Sequence, residues 1–144
     1  MPSEKIHKFE TEGVTITIPS LARKIAVRKA APGNLKDMPQ TDADFVPRRV
    51  VIDFDFYDED APQASLTSID AAFELRVRYT QQDVANAGGD WHSLKLAFYR
   101  GGKWKRFTQE KHHFILHPDE ADPNTGYGVV QIRDWSDPNI GWGQ

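Results

Sequence analysis

Val50-Val51-Ile52-Asp53-Phe54-Asp55-Phe56-Tyr57 decides the fold. Side chains of an extended strand alternate between two faces. This run therefore sets Val50, Ile52, Phe54 and Phe56 on one side, and Val51, Asp53, Asp55 and Tyr57 on the other. A helix would scatter the same residues around its circumference. Phe73-Glu74-Leu75-Arg76-Val77-Arg78-Tyr79 repeats the alternation, with charges at every second position, and Leu94, Leu96 and Phe98 form a third stripe. Strands that are apolar on one face only must bury that face against another layer. With helical periodicity nearly absent, the layer is a second sheet.

Working outward, Gly13-Val14-Thr15-Ile16-Thr17-Ile18 is a further half-buried strand, stopped by Pro19. Residues 25–29, 103–107, 114–116 and 127–132 supply weaker candidates. The total is about eight short strands, spaced as in an all-β immunoglobulin-like antiparallel two-sheet sandwich, with residues 1–144 as one domain. The expected core is Ile16, Ile52, Phe54, Phe56, Phe73, Leu75, Val77, Leu94, Leu96 and Ile132. Gln81 to Asn86 can make one helical turn before Gly88-Gly89. Residues 31–47 contain three prolines and read as a long loop, and residues 134–144 read as a C-terminal tail.

Composition narrows the chemistry. The 144 residues are 39% hydrophobic and 27% charged, with eight Phe, four Trp and four Tyr, which suits a packed domain rather than a disordered chain. The absence of cysteine excludes disulfides, thiol nucleophiles and thiolate metal sites. The net charge is −3, with the acid concentrated in residues 50–90, and no block is basic enough to predict nucleic acid as a partner. No apolar run has the length of a membrane-spanning helix, so direct membrane insertion is not expected. Met1-Pro2-Ser3-Glu4-Lys5 is compatible with a native cytoplasmic start or with a piece of a larger exported protein.

Residues 50–107 resemble the immunoglobulin-like sandwich module related to the ZU-type domain of ankyrins and netrin receptors, in the form found in bacterial surface and membrane-attached proteins. The likeness is carried by Val51-Ile52-Asp53-Phe54-Asp55-Phe56-Tyr57-Asp58, by Phe73 to Tyr79 followed by Thr80-Gln81-Gln82-Asp83-Val84, and by Leu94-Lys95-Leu96-Ala97-Phe98-Tyr99-Arg100-Gly101-Gly102-Lys103-Trp104. It implies a sandwich and a structural or binding role. Where the family often has His-Phe-Ser, and some animal relatives cleave their own chain, this sequence has Asp134-Trp135-Ser136. The activating histidine is missing, and self-cleavage is not expected.

Candidate chemistry is sparse. His112, His113 and His117 fall within six residues. On a strand, however, His112 and His113 diverge, and His113 and His117 sit roughly 13 Å apart, too far for one ion. No metal site or cofactor is expected. Asp119 to Gly126 is oxygen-rich, but its glycine comes one place late for a calcium loop and no glutamate closes it, so it reads as a turn. Trp104-Lys105-Arg106 is a small basic–aromatic patch. A hairpin with a three-residue loop, Arg100 to Gly102, would set Trp104 against Phe98 in the core. Tyr127, Trp135 and Trp142 are the candidate ligand-binding residues, able in principle to stack on sugar rings. Enzyme fingerprints such as a Gly-x-Ser-x-Gly elbow, a phosphate loop or His-Glu-x-x-His do not occur. The expected protein is a non-catalytic module of a larger bacterial envelope or secreted protein, with a protein or glycan partner. Its alternative is a carbohydrate-binding module using exposed aromatic residues.

Overall fold

Apolar stripes on one face of each strand make two sheets close over a shared core. The computed structural model describes residues 5–18, 25–30, 45–66, 72–100, 103–132 and 139–143. In chain order these carry β1 (Lys5–Phe9), β2 (Val14–Ile18), β3 (Ile25–Ala30), β4 (Pro47–Asp58), β5 (Ala61–Leu66), β6 (Phe73–Tyr79), α1 (Gln81–Asn86), β7 (Lys95–Arg100), β8 (Lys103–Arg106), α2 (Gln109–His112), β9 (Ile115–Pro118), β10 (Gly126–Ile132) and β11 (Asn139–Gly143). The first sheet runs β1-β2-β6-β10-β9 and the second β3-β4-β11-β7-β8, with β5 also on β4. Every pairing is antiparallel. The chain is thus an all-β two-sheet sandwich. It has eleven strands among the described residues rather than about eight, because β1, β5 and β11 escape the alternation test.

All ten expected core residues are buried. Phe73 of β6 meets Phe54 and Phe56 of β4 edge-on across the sandwich, with centroids 6.4 and 4.9 Å apart, the arrangement that aromatic quadrupoles favour. The one-turn helix α1 forms as expected at one end. Thr80 and Asp83 make a reciprocal capping box, and Arg49 of β4 grips the nearly inaccessible Asp83 carboxylate through Nε and Nη2 at 2.7 and 2.6 Å. A buried charge held this way ties the helix to the second sheet.

The C-terminal segment corrects the sequence reading most sharply. Residues 134–138 lie outside the described residues, but Asn139–Gly143 is no tail: β11 is the middle strand of the second sheet, between β4 and β7. Its Ile140 and Trp142 point into the main core. Gly141 and Gly143 occupy the opposite face, where space is already taken. A Cβ on Gly141 would lie 2.8 Å from both Arg49 O and Cη2 of Trp104; one on Gly143 would meet the Phe45 ring at 2.8 Å. The long-loop expectation, residues 31–47, falls mainly outside the described residues. Its last three do not: Phe45 is fully buried and Pro47 opens β4.

Two registers follow from this second cluster. The β4–β11 ladder shifts between Ile140 and Gly141, pairing Ile140 with Ile52 and Gly141 with Val50. Val51 is the extra residue of a bulge. Val50 therefore leaves the expected stripe and packs beside Phe45, Ala97 and Trp104 on the outer face. The β7–β8 hairpin pairs Tyr99 with Trp104 and Phe98 with Lys105. That is the two-residue loop, not the three-residue one. Trp104 consequently points away from Phe98, yet none of it is exposed, because Phe45 and Tyr99 cover it at 5.4 and 5.3 Å. The expected burial holds and the expected register does not. A separate apolar cluster on the outer face accounts for both.

Candidate functional site

Of the aromatic residues singled out in the sequence, Tyr127 and Trp142 do not form a platform. Trp142 is 1% exposed, its indole N–H donates to Arg78 O across the sandwich at 2.9 Å, and Tyr79 abuts it edge-on at 5.7 Å. It is a core residue, which removes it as a ligand-stacking surface. Trp135 lies outside the described residues, as does Ser136. Tyr127 is half-buried on the outer face of β10. His117 of β9 stacks on it at 5.0 Å and 18°, and the Arg76 guanidinium of β6 lies over the ring at 5.2 Å. As β9 and β6 flank β10 on opposite sides, the ring is closed in from both.

The three clustered histidines have separate surroundings. Gln109 to His112 is a helical turn capped by Thr108, not a strand, and His113 closes it in the left-handed conformation. His112 sits edge-on against Phe107 and Phe98 at 5.0 and 6.2 Å, and its Nδ1 accepts the Thr108 N–H at 3.2 Å. Burial, with help from neighbouring Lys111, pushes its pKa below the ordinary imidazole value. Asp119 to Gly126 is the turn that the sequence suggests. Asp122 accepts from the Asn124 N–H and from Gln81, bonds that lower its pKa, while Asp119 accepts from Thr125 and Arg78. Trp104 is buried, so the basic–aromatic patch at residues 104–106 lacks its aromatic component.

Among the described residues, the outer face of the first sheet carries an open surface. Lys8, Thr15, Arg76, Val129 and Ile115 are successive cross-strand partners from β1 to β9, and Ile6, Thr17, Glu74 and Gln131 form the next row. On β2 only the short Thr15 and Thr17 side chains rise from this face, between longer ones on both neighbouring strands. The result is a trough along β2 with a threonine floor. Ile6 and Lys8 form one wall, and Glu74, Arg76 and Arg78 the other. It comprises a hollow of about 440 Å³ lined by Ile6, Lys8, Thr15, Thr17, Glu74 and Arg76. An adjoining one of about 210 Å³ runs past Gly13 to Glu10 and Arg78. Lys8 and Thr15 belong to both.

Three basic residues border the trough, and the guanidiniums of two lean away from β2, toward β10 and the turn after β9. Arg76 Nε donates to Glu74 at 2.5 Å, a bond that raises the Arg76 pKa, and its Nη1 reaches Tyr127 Oη at 3.4 Å. Arg78 Nη2 donates to Asp119 at 2.5 Å. Lys8 has no ion-pair partner among the described residues. Both arginine pairs are exposed, and such pairs contribute little net stability, so an incoming anion can share these guanidiniums at small cost. The trough offers ammonium, guanidinium and hydroxyl groups for holding a ligand. Of the carboxylates that border it, Glu74 accepts from Arg76 and Gln131, and Glu10 lies in the adjoining hollow with Arg78. Sequence parity already put Thr15, Thr17, Arg76 and Arg78 on outward faces. That they share one trough required the unforeseen strand β1 and the pairing of β2 with β6. Comparison with family models, curated proteins and solved structures found no match.

Proposed function

We propose that this chain is a non-catalytic binding module, of the immunoglobulin-like kind that residues 50–107 resemble, serving within a larger bacterial envelope or secreted protein. It holds its ligand in the trough on the first sheet. The observation that carries this reading is the contrast between the two outer faces. On the second sheet, Phe45 and Trp104 form a closed apolar cluster over β11 and β7. On the first, the described residues leave two contiguous hollows open between β1 and β6. The sugar-stacking alternative loses support, since Trp142 is buried and Tyr127 is flanked by His117 and Arg76.

Amide chemical-shift mapping tests the proposal with a panel of neutral and acidic oligosaccharides and extended peptides. The expected result is a saturable shift confined to Lys8, Thr15, Thr17, Arg76 and their neighbours. Shifts confined to the second sheet, or to the turn at Asp119 to Gly126, would overturn it.

A further inference from the structure

We infer that residues 108–113 form an acid-released strap across one side of the sandwich, with His112 as its catch. β8 ends the second sheet and β9 the first, and α2 lies on the chain between them. Both ends of this connection are anchored without His112. Phe107 is buried and its N–H donates to Leu96 O at 2.8 Å, while Phe114 packs over Gly128, where an added Cβ would lie 3.1 Å from its ring. Between the anchors, His113 holds a left-handed conformation with φ of 53°, uncommon for a residue that has a Cβ. Opening the turn relieves that conformation and leaves both anchors in place.

The catch depends on which ring nitrogen carries a proton. Nδ1 of His112 accepts the Thr108 N–H, so the neutral ring keeps its hydrogen on Nε2. Thr108 is also the N-cap of α2: its hydroxyl accepts from the Lys111 N–H and its carbonyl from the His112 N–H. Protonation adds a hydrogen at Nδ1, which then confronts the Thr108 donor, and it places a charge against the Phe107 and Phe98 rings. Nothing packed around the ring compensates that charge among the described residues. Lys111 opposes it, and Lys105 stands beside Phe98 in the β7–β8 ladder with the same sign. The inner face of β10, against which α2 packs, is apolar, and Glu110 and His113 are exposed on the turn itself. Burial first, then Lys111, holds the pKa of closed His112 below its ordinary value of 6.5. The closed strap therefore persists above that pH and is released as pH falls through the lower value. Each pH unit within the window multiplies the open population by up to about tenfold.

The test is a nuclear magnetic resonance titration of the intact chain from about pH 7.5 to about pH 5. At the upper end, ring-nitrogen shifts should show His112 protonated at Nε2 alone. On acidification, amide protection at His112 and His113, corrected for intrinsic exchange, should fall by about tenfold, while Val77 and Val130 in the first sheet keep theirs. A paramagnetic cosolute should broaden the Phe98 and Phe107 ring protons severalfold more at the acid end. His113→Asn and His117→Gln should leave the transition in place, and His112→Gln should abolish it. Unchanged protection at His112 and His113 would overturn the inference, as would a transition that survives His112→Gln. Loss of protection at Val77 and Val130 together with the turn would also overturn it, since His112 would then act on the whole fold and not on a strap. The wild-type titration decides even if a variant does not fold.

Discussion

Gly141→Ala isolates the packing of Trp104 against β11. Two opposing effects meet at this position. Replacing glycine with alanine restricts the unfolded chain and stabilises by about 0.4–1 kcal/mol where the native backbone accepts a Cβ. Here the new methyl would lie 2.8 Å from Arg49 O and Trp104 Cη2, and 3.1 Å from Cζ3. One of these neighbours is backbone in the central ladder, and the other is a fully buried indole. Overpacking of this kind costs about 1–3 kcal/mol, so the net effect is destabilisation by about 1–2 kcal/mol. At about 3 °C per kcal/mol for a chain of this size, the midpoint of thermal unfolding should fall by about 3–6 °C. Urea denaturation monitored by circular dichroism gives the free energy directly. Repeating Gly141→Ala on a Trp104→Phe background removes Cη2 and Cζ3 but leaves Arg49 O, so its cost should shrink without vanishing, a coupling of at least about 0.5 kcal/mol. A neutral or stabilising Gly141→Ala in the wild-type background would refute the placement of Trp104 over this glycine.

Asp83→Ala removes the capping box and leaves the Arg49 guanidinium without its partner, so it should destabilise by about 3 kcal/mol in urea. A loss below about 1 kcal/mol would show that α1 is not anchored through this carboxylate. His112 predicts a pH dependence. Its folded pKa is depressed, so its contribution to stability is fully present above the ordinary value of 6.5 and is lost as pH falls through the lower folded value. The charged groups of β7 and of residues 107–112 include only Lys111 as a coulombic cause, which acts in the same direction. His112→Gln should flatten the pH profile of unfolding free energy below pH 6.5, and an unchanged slope would assign the dependence elsewhere. Finally, a variant retaining Trp104 as its sole tryptophan should resist iodide quenching, because Phe45 and Tyr99 shield the ring. Strong quenching would mean that the outer cluster opens in solution.

What the sequence revealed and concealed follows from where each signal resides. The strands β4 and β6 were legible because alternation is written into their own side chains, and a strand buried on one face has no freedom to choose another face. β11 was concealed because Gly141 and Gly143 carry no side chain to alternate. Their reason for being glycine lies in Trp104 and Phe45 and in the backbone carbonyls of Arg49 and Val46, all distant in the chain. The bulge at Val51 was concealed for a related cause: an extra residue is defined only against a partner strand, and β11 was not recognised as one. The hairpin register was concealed because the sequence does not show that the second sheet carries an apolar cluster on each face. With one core, burying Trp104 requires Phe98 opposite it; with an apolar cluster on each face, Tyr99 serves equally well. The trough was half legible. The polar positions of β2 and β6 were correctly outward, but Lys5 to Phe9 has too little alternation to announce the strand that makes the second wall.

The two outer faces bear on function through the same device, the choice of short side chains on an inner strand. On the second sheet, Gly141 and Gly143 of β11 create a depression, and this chain fills it with Phe45 and Trp104. On the first sheet, Thr15 and Thr17 of β2 create another, walled by Ile6, Lys8, Glu74, Arg76 and Arg78, which the described residues leave open. A filled depression contributes to stability by removing apolar area from water, about 25 cal/mol per Å². An open one lined with hydroxyls and charges contributes little of that kind. Its two arginines are engaged by Glu74, Tyr127 and Asp119, whereas Lys8 and the exposed Ile6 are accounted for neither by an ion pair nor by burial among the described residues, and each has a use if a ligand lies along β2. Substitution at the two places should therefore have opposite consequences. Thr15→Val, nearly isosteric and half-buried, should leave the unfolding midpoint unchanged while altering ligand affinity; Trp104→Ala should cost about 3–5 kcal/mol and leave the trough's affinity intact in whatever fraction remains folded. Were Thr15→Val to destabilise the fold as Trp104→Ala does, the trough would be part of the scaffold and not a site.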